Sequence, residues 1–212
     1  MNIPCVRGLM AFLMLGGTAV AGPGIASSLT GDLVVLQGKK VGRYDAAQLA
    51  QTKYFGIYYS AHWCPPCRQF TPKLVEWYNQ QKPANPHFEL IFVSSDRSEA
   101  DMEQYIVGDK MPWPAVKFAK KDGNKAITKY SGNGIPCLVL IDAEGKVLSD
   151  SYVDGKYVGP GKVMSDITTI LAANPTTGGQ ATPAAATTGT ATSSIASPKG
   201  SNFDDFFKKK TP

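Results

Sequence analysis

Two cysteines, separated by two prolines, form the run Cys64-Pro65-Pro66-Cys67. An apolar, aromatic segment of strand length, residues 54–60, precedes this run, and apolar residues at helical spacing follow it. The cysteines therefore lie where a buried strand turns into a helix. Cys64 would occupy the helix N-terminus, and Cys67 would lie one turn later on the same face. That spacing lets the two sulfur atoms form a disulfide.

The two prolines fit the first turn of this helix, because backbone N–H groups there have no intrahelical partner. The N–H of Cys67 remains, and it can point at the sulfur of Cys64. The positive end of the helix dipole also stabilises a thiolate at that position. The sequence thus provides an attacking thiol, Cys64, and a resolving thiol, Cys67.

Two alternatives to redox chemistry are a structural cysteine pair and one half of a zinc site. A zinc site usually requires four ligands. Outside the first few residues, only Cys137, His62 and His87 could add to the pair. Because the cysteines lie in a strand–turn–helix context, we predict redox chemistry, with no metal and no cofactor.

The composition favours one sizeable core rather than a charged binding surface. Of 212 residues, 43% are hydrophobic and 18% are charged, and the net charge is +5. The basic residues are scattered apart from Lys208-Lys209-Lys210. We therefore expect no nucleic-acid partner, and we expect the protein to be a monomer.

Residues 1–21 have the pattern of a secretory signal peptide, with a short apolar stretch and Ala19-Val20-Ala21 as a cleavage site. The alternatives are an uncleaved anchor and a misassigned start. Cys5 would leave with the signal. We predict that the chain is exported, to the periplasm if the source is bacterial and otherwise by secretion, with no membrane span after cleavage. An oxidising compartment suits disulfide chemistry.

Strand and helix patterns alternate through the middle of the chain. This order predicts an α/β fold with three layers, α/β/α, around a mixed central sheet. Strands are predicted at 33–36, 54–60, 88–93, 135–142 and 146–148, and helices at 45–51, 68–81, 98–107 and 163–171.

The predicted domain covers residues 31–173, after a small-residue lead-in at 22–30. Residues 174–202 are rich in Ala, Thr, Ser, Gly and Pro, a composition that is typical of a disordered linker. Residues 203–212 form a short Phe/Lys peptide. It is either a docking segment or an unstructured end.

Several separated motifs carry a resemblance to a known family. The stretch from Ser60 through Pro72 resembles the active site of the thioredoxin superfamily, in particular its tryparedoxin and nucleoredoxin branch. Three further motifs occur in the order typical of that branch: Val93-Ser94-Ser95-Asp96, Met111-Pro112-Trp113 and Ile135-Pro136. The match extends over about residues 30–172.

The resemblance implies a thioredoxin fold and a thiol–disulfide oxidoreductase that acts through a mixed disulfide at Cys64. It also implies a cis bond before Pro136, with a backbone edge exposed to substrate. Trp113 is either a wall of the substrate groove or part of a packed loop, and Trp63 either shields the nucleophile or simply packs. We assign six residues to the groove: Trp63, Pro65, Pro66, Trp113, Ile135 and Pro136.

Two residues depart from what the superfamily leads us to expect. Tyr58 stands where thioredoxins carry a buried acid, so it is either a weaker proton relay or part of the core. Cys137 follows Pro136, where we expect a small residue such as Thr. Cys137 is either a third thiol of the redox site or an inert hydrophobe on a buried strand, and we favour the second interpretation.

The predicted function is an exported oxidoreductase that reduces substrate disulfides. Its predicted partners are protein dithiols or disulfides and an unidentified redox partner. One alternative is a disulfide isomerase or oxidase. Another is a binder of metal or protein that keeps the fold without redox turnover.

Overall fold

The computed structural model describes residues 24–175. The predicted signal peptide at 1–21, the terminal peptide at 203–212 and all but the first two residues of the predicted linker lie outside the described residues. The strands are β1 Leu33–Gln37, β2 Lys40–Arg43, β3 Tyr54–Ser60, β4 Phe88–Ser94, β5 Ala115–Val116, β6 Cys137–Asp142, β7 Val147–Asp150, β8 Tyr152–Val153 and β9 Lys156–Tyr157. The α-helices are α1 Ile25–Ser28, α2 Pro65–Gln81, α3 Glu99–Gly108, α4 Lys125–Thr128 and α5 Pro160–Ala173, and 3-10 turns lie at Ala46–Leu49, Lys82–Ala84 and Phe118–Lys120.

Seven strands form one mixed sheet in the order β2-β1-β5-β4-β3-β6-β7. Strand β3 lies between β4, to which it is parallel, and β6, to which it is antiparallel. Neighbours on both edges explain why β3 is apolar along nearly its whole length rather than alternating. The predicted mixed sheet is confirmed.

Side chains of β3, β4 and β6 alternate between two apolar clusters, one on each face of the sheet. Residues of α2, α3 and α5 pack into the cluster that contains Tyr58. Residues of α1, α4 and the turn at Ala46–Leu49 contribute to the opposite cluster, which contains Tyr59. Helices cover both faces, so the predicted three-layer α/β/α fold is also confirmed.

Several short elements were not predicted from the sequence. Residues 25–28, within the predicted lead-in, form α1, and Ile25 and Leu29 are buried. Strand β2 is an edge strand with polar residues at both ends, so it gave no apolar pattern. Strands β8 and β9 have two residues each, which is too short for any periodicity.

Candidate active site

Strand β3 ends at Ser60, and α2 begins at Pro65 with Cys64 as its N-cap. The backbone N–H of Cys64 donates to the Ala61 carbonyl oxygen at 3.2 Å. The N–H of Cys67 donates to the Cys64 Sγ at 3.3 Å. This bond satisfies one donor that the helix start would leave unpaired, and it directs positive charge at the sulfur.

Cys64 and Cys67 form a disulfide, with their Cα atoms 5.2 Å apart. The Cys64 residue is 3% exposed, whereas Cys67 has no exposed surface. Ala61 and Ile135 pack against the pair, while the side of the turn that carries Pro65 and Pro66 faces solvent. A substrate sulfur can therefore reach the pair only at Cys64.

Trp63 lies beside the disulfide as an exposed aromatic surface. It is 53% exposed, and its indole N–H donates to the Ser95 carbonyl oxygen at 3.1 Å. The Arg97 guanidinium carbon lies 6.0 Å from the centroid of its ring. The indole is thus held in place although it faces solvent, which suits apolar contact with a substrate.

The peptide bond between Ile135 and Pro136 is cis. The Ile135 carbonyl oxygen lies 3.8 Å from the Cys64 Sγ. The Pro136 carbonyl oxygen, one residue further along, accepts a hydrogen bond of 2.7 Å from the Tyr157 hydroxyl. The segment that the resemblance assigned to substrate binding therefore faces the predicted nucleophile.

The structure corrects the interpretation of Trp113 as a groove wall. Trp113 is 1% exposed, and its ring packs edge-on against Tyr58 and Tyr78 inside the core. The next residue, Pro114, accepts a hydrogen bond of 2.9 Å from the N–H of Phe92 in β4, so its loop is drawn into the sheet. Trp113 is therefore part of a packed loop and does not line the substrate groove.

Tyr58 is fully buried, and burial raises the pKa of its hydroxyl well above the ordinary value. Its hydroxyl hydrogen-bonds with the Thr71 Oγ1 at 2.7 Å, and Thr71 also bonds with the Tyr105 hydroxyl. Thr71 donates its single proton to the Cys67 carbonyl oxygen at 3.0 Å. These bonds lead to the backbone of α2 rather than to a sulfur atom, and a proton-relay role for Tyr58 stays a prediction.

Cys137 does not join the active-site pair. It is a free thiol without exposed surface, and it pairs with Tyr59 across β6 and β3. Its side chain lies in the cluster on the sheet face opposite α2. Burial raises the pKa of the Cys137 thiol to about 11. These features correct the interpretation of Cys137 as a third redox thiol. They agree with its interpretation as an inert hydrophobic residue on a buried strand.

Asp96 and His62 support the turn that precedes Trp63, a role that sequence reasoning missed. The backbone N–H of His62 donates to the Asp96 Oδ1 at 2.7 Å. The other carboxylate oxygen of Asp96 accepts a hydrogen bond from the Ser94 hydroxyl at 2.8 Å. Asp96 is buried, so these bonds fix the turn between β3 and α2. The signal was available in the motif Val93-Ser94-Ser95-Asp96.

Within residues 24–175, no cluster of three or more His, Cys, Asp or Glu side chains is arranged to hold a metal ion. In the same range, no helix has the length and apolar character that crossing a membrane requires.

Residues 51–147 match a family model described as thioredoxin-like. Human nucleoredoxin is 44% identical over 97 residues, which are 45% of this chain and 22% of that protein. The tryparedoxin of Trypanosoma brucei brucei is 37% identical over 122 residues, which are 57% of this chain and 81% of that protein. Among solved structures, tryparedoxin II from C. fasciculata aligns with a TM-score of 0.50 at 27% identity, over 72% of this chain and 96% of that one.

The chain matches only about a fifth of the length of the nucleoredoxins, against 81% of the tryparedoxin. The identity to tryparedoxin extends over most of that relative, and the fold, the helix-capping cysteine pair and the cis-proline accompany it. The chain therefore belongs to the thioredoxin-like family, in the branch of the tryparedoxins and nucleoredoxins.

Proposed function

We propose that this protein is a thiol–disulfide oxidoreductase that reduces substrate disulfides. The observation that carries the proposal is the geometry of the pair: Cys64 caps α2 and accepts the Cys67 N–H, while Cys67 is closed to solvent. In the reduced protein the helix terminus stabilises the thiolate form of Cys64. The accessible cysteine is thus also the activated one.

The reaction proceeds in two exchanges, each of which forms one S–S bond and breaks one. The Cys64 thiolate attacks a substrate disulfide, forms a mixed disulfide and releases the first substrate thiolate, which takes up a proton. The Cys67 thiolate then attacks the Cys64 sulfur, closes the ring and releases the second substrate thiolate. Two electrons pass from the dithiol to the substrate, and an external dithiol must restore the reduced pair.

The direction follows from the surroundings of the sulfur atoms. Neither residue between the cysteines is a cation or a histidine, and both are prolines that donate no backbone hydrogen bond. Stabilisation of the thiolate is therefore moderate. We expect a reduction potential nearer about −270 mV than about −120 mV, which suits a reductase rather than an oxidase. Equilibration with glutathione measures this reduction potential. A value above about −150 mV would contradict the proposal that the protein reduces its substrates.

Reduction of insulin by dithiothreitol, with and without the protein, tests the activity. The Cys64→Ser variant should lose the acceleration, and the matched control Cys137→Ser should keep it. If the wild-type protein does not accelerate reduction, the chain is a binder rather than a reductase. If it instead accelerates the recovery of scrambled ribonuclease, the isomerase alternative is favoured.

We also propose that the substrates are protein disulfides and that the chain acts as a monomer. The disulfide, Trp63 and the cis-proline segment all come from one chain, so the site needs no second copy. A Cys67→Ser variant cannot resolve the mixed disulfide and should retain substrates covalently. Mass spectrometry of the trapped species identifies them, and size-exclusion chromatography measures the oligomeric state.

Export of the protein is a further proposal, supported by the apolar stretch and the small-residue site within residues 1–21. Fractionation of the source cells followed by N-terminal sequencing tests it. A mature chain that begins near Gly22 and is found outside the cytoplasm would support export. A cytoplasmic chain that begins at Met1 would refute it.

A further inference from the structure

The hairpin of β8 and β9 contacts the cis-proline segment through one side chain. Tyr152 pairs with Tyr157, and Val153 with Lys156, around a two-residue turn. Both turn residues, Asp154 and Gly155, have positive φ, the geometry of the tight hairpin turns that match the twist of strands. At the far end of the hairpin, the Tyr157 hydroxyl donates to the Pro136 carbonyl oxygen at 2.7 Å.

The hairpin is itself anchored to β6. The N–H of Leu138 donates to the Ser151 hydroxyl oxygen at 2.8 Å, just before the hairpin. The N–H of Val158, just after it, donates to the Ser151 carbonyl oxygen at 2.8 Å. Because both ends are tied at Ser151, the Tyr157 hydroxyl is held at a fixed place relative to the start of β6.

The residue before Pro136 faces the disulfide. The Ile135 side chain packs on the cysteine pair, and its carbonyl oxygen lies 3.8 Å from the Cys64 Sγ. Two consecutive carbonyl oxygens thus have different partners: one faces the nucleophile, and the other accepts from Tyr157. A shift of the second would move the first, since their two peptide planes meet at the Pro136 Cα, where the ring fixes φ.

Tyr157 differs from the buried tyrosines of the core, because only its hydroxyl group contacts the cis-proline segment. The residue is 50% exposed, and its ring lies against Tyr152, with centroids 5.2 Å apart. An exposed ring adds little to the core. The hydrogen bond to Pro136 is therefore the principal contribution of this side chain to the domain.

We propose that Tyr157 is a positioning residue of the redox site, whose hydroxyl holds the cis Ile135–Pro136 segment where a polypeptide disulfide must align beside Cys64. This inference rests on the proposed function and deepens it by naming a residue that aligns the polypeptide substrate beside Cys64. An extended substrate needs that backbone segment in place. A small alkylating reagent needs only the thiolate, so it is insensitive to the segment.

The test compares Tyr157→Phe with the matched control Tyr152→Phe. Each variant is reduced and then mixed with insulin in a single-turnover experiment, and a second portion of the same sample is alkylated with iodoacetamide at Cys64. For Tyr157→Phe, the ratio of the insulin rate to the alkylation rate should fall about fivefold, as expected for one lost hydrogen bond in the transition state. For Tyr152→Phe, the ratio should equal that of the wild type.

Iodoacetamide also labels unfolded chains, so both rates are measured at a temperature at which circular dichroism shows that Tyr157→Phe is fully folded. Under that condition a loss of stability in the variant does not affect the ratio. An unchanged ratio in Tyr157→Phe, with an active wild type, would overturn the positioning role and leave the proposed function intact. An equal fall of both rates would also overturn it, because the hydroxyl would then act on Cys64 itself. A wild type that does not reduce insulin would overturn the proposed function.

Discussion

The start of α2 and the start of β6 each carry a cysteine that is almost completely buried, yet their surroundings differ in kind. Cys64 occupies an N-cap and accepts a hydrogen bond from the Cys67 N–H. Cys137 lies on a strand between neighbours on both sides, and its side chain joins an apolar cluster. One position stabilises a thiolate through the helix terminus, whereas the other destabilises it through loss of solvent.

The position of Cys137 directly after Pro136 was the reason for the less favoured alternative, a third thiol of the redox site. Strand alternation explains the outcome: neighbouring side chains on β6 point to opposite faces, and Leu138 rather than Cys137 joins the cluster beneath α2. Reactivity in this fold is therefore determined by which face and which helix end a thiol occupies.

The largest expected difference between Cys64 and Cys137 is in the rate of alkylation. In the reduced native protein at pH 7.5, iodoacetamide should label Cys64 at least about a thousandfold faster than Cys137. The helix terminus stabilises the thiolate of Cys64, whereas Cys137 is protonated and closed to the reagent. Peptide mapping by mass spectrometry at a series of times measures both rates. In a denaturant the two rates should approach each other.

Comparable native labelling of the two residues would show that Cys137 is accessible and would weaken the contrast. Faster labelling of Cys67 than of Cys64 would reverse the assignment of nucleophile and resolving thiol.

The sequence was sufficient for the strand and helix around Cys64, because apolar periodicity and proline placement are local signals. The caps at Asp45 and Ser98, whose side chains accept backbone N–H groups two and three residues later, are local in the same way. These features depend on residues within a few positions of one another.

Trp113 and the β8–β9 hairpin depend instead on contacts between distant segments. Trp113 is buried because its loop adds β5 to the sheet beside β4, and the motif Met111-Pro112-Trp113 carries no sign of that pairing. The contact from Tyr157 to Pro136 joins residues 21 positions apart across a hairpin too short to show a pattern. Local sequence signals therefore located the nucleophile, whereas the burial of Trp113 and the contact of Tyr157 depend on the fold.

A second, smaller effect concerns the pH dependence of stability. The pKa of Cys137 is raised in the folded state, so its contribution to stability is complete below the unfolded value of 9.0 and is lost as the pH rises toward about 11. The stability advantage of the wild type over Cys137→Ala should shrink by about 2 kcal/mol between pH 8 and pH 11. Urea unfolding across that range measures the difference.

Both proteins in that comparison should carry serine at positions 64 and 67, so that the active-site thiols do not titrate. Other titrating groups are common to the two chains and cancel. A difference that stays constant with pH would mean that the Cys137 thiol titrates alike in the folded and unfolded states.

The smallest expected effect is the cost of removing the Cys137 sulfur at neutral pH. Cys137→Ala deletes one buried atom from a packed cluster and should lower the free energy of unfolding by about 1–2 kcal/mol. The insulin-reduction rate should stay at the wild-type value, since the side chain lies on the face opposite α2. Chemical denaturation and the reductase assay on the same preparation measure the two effects together. A loss of rate larger than the loss of folded protein would place Cys137 in the redox reaction after all, because packing alone would lower activity only in proportion to the folded fraction.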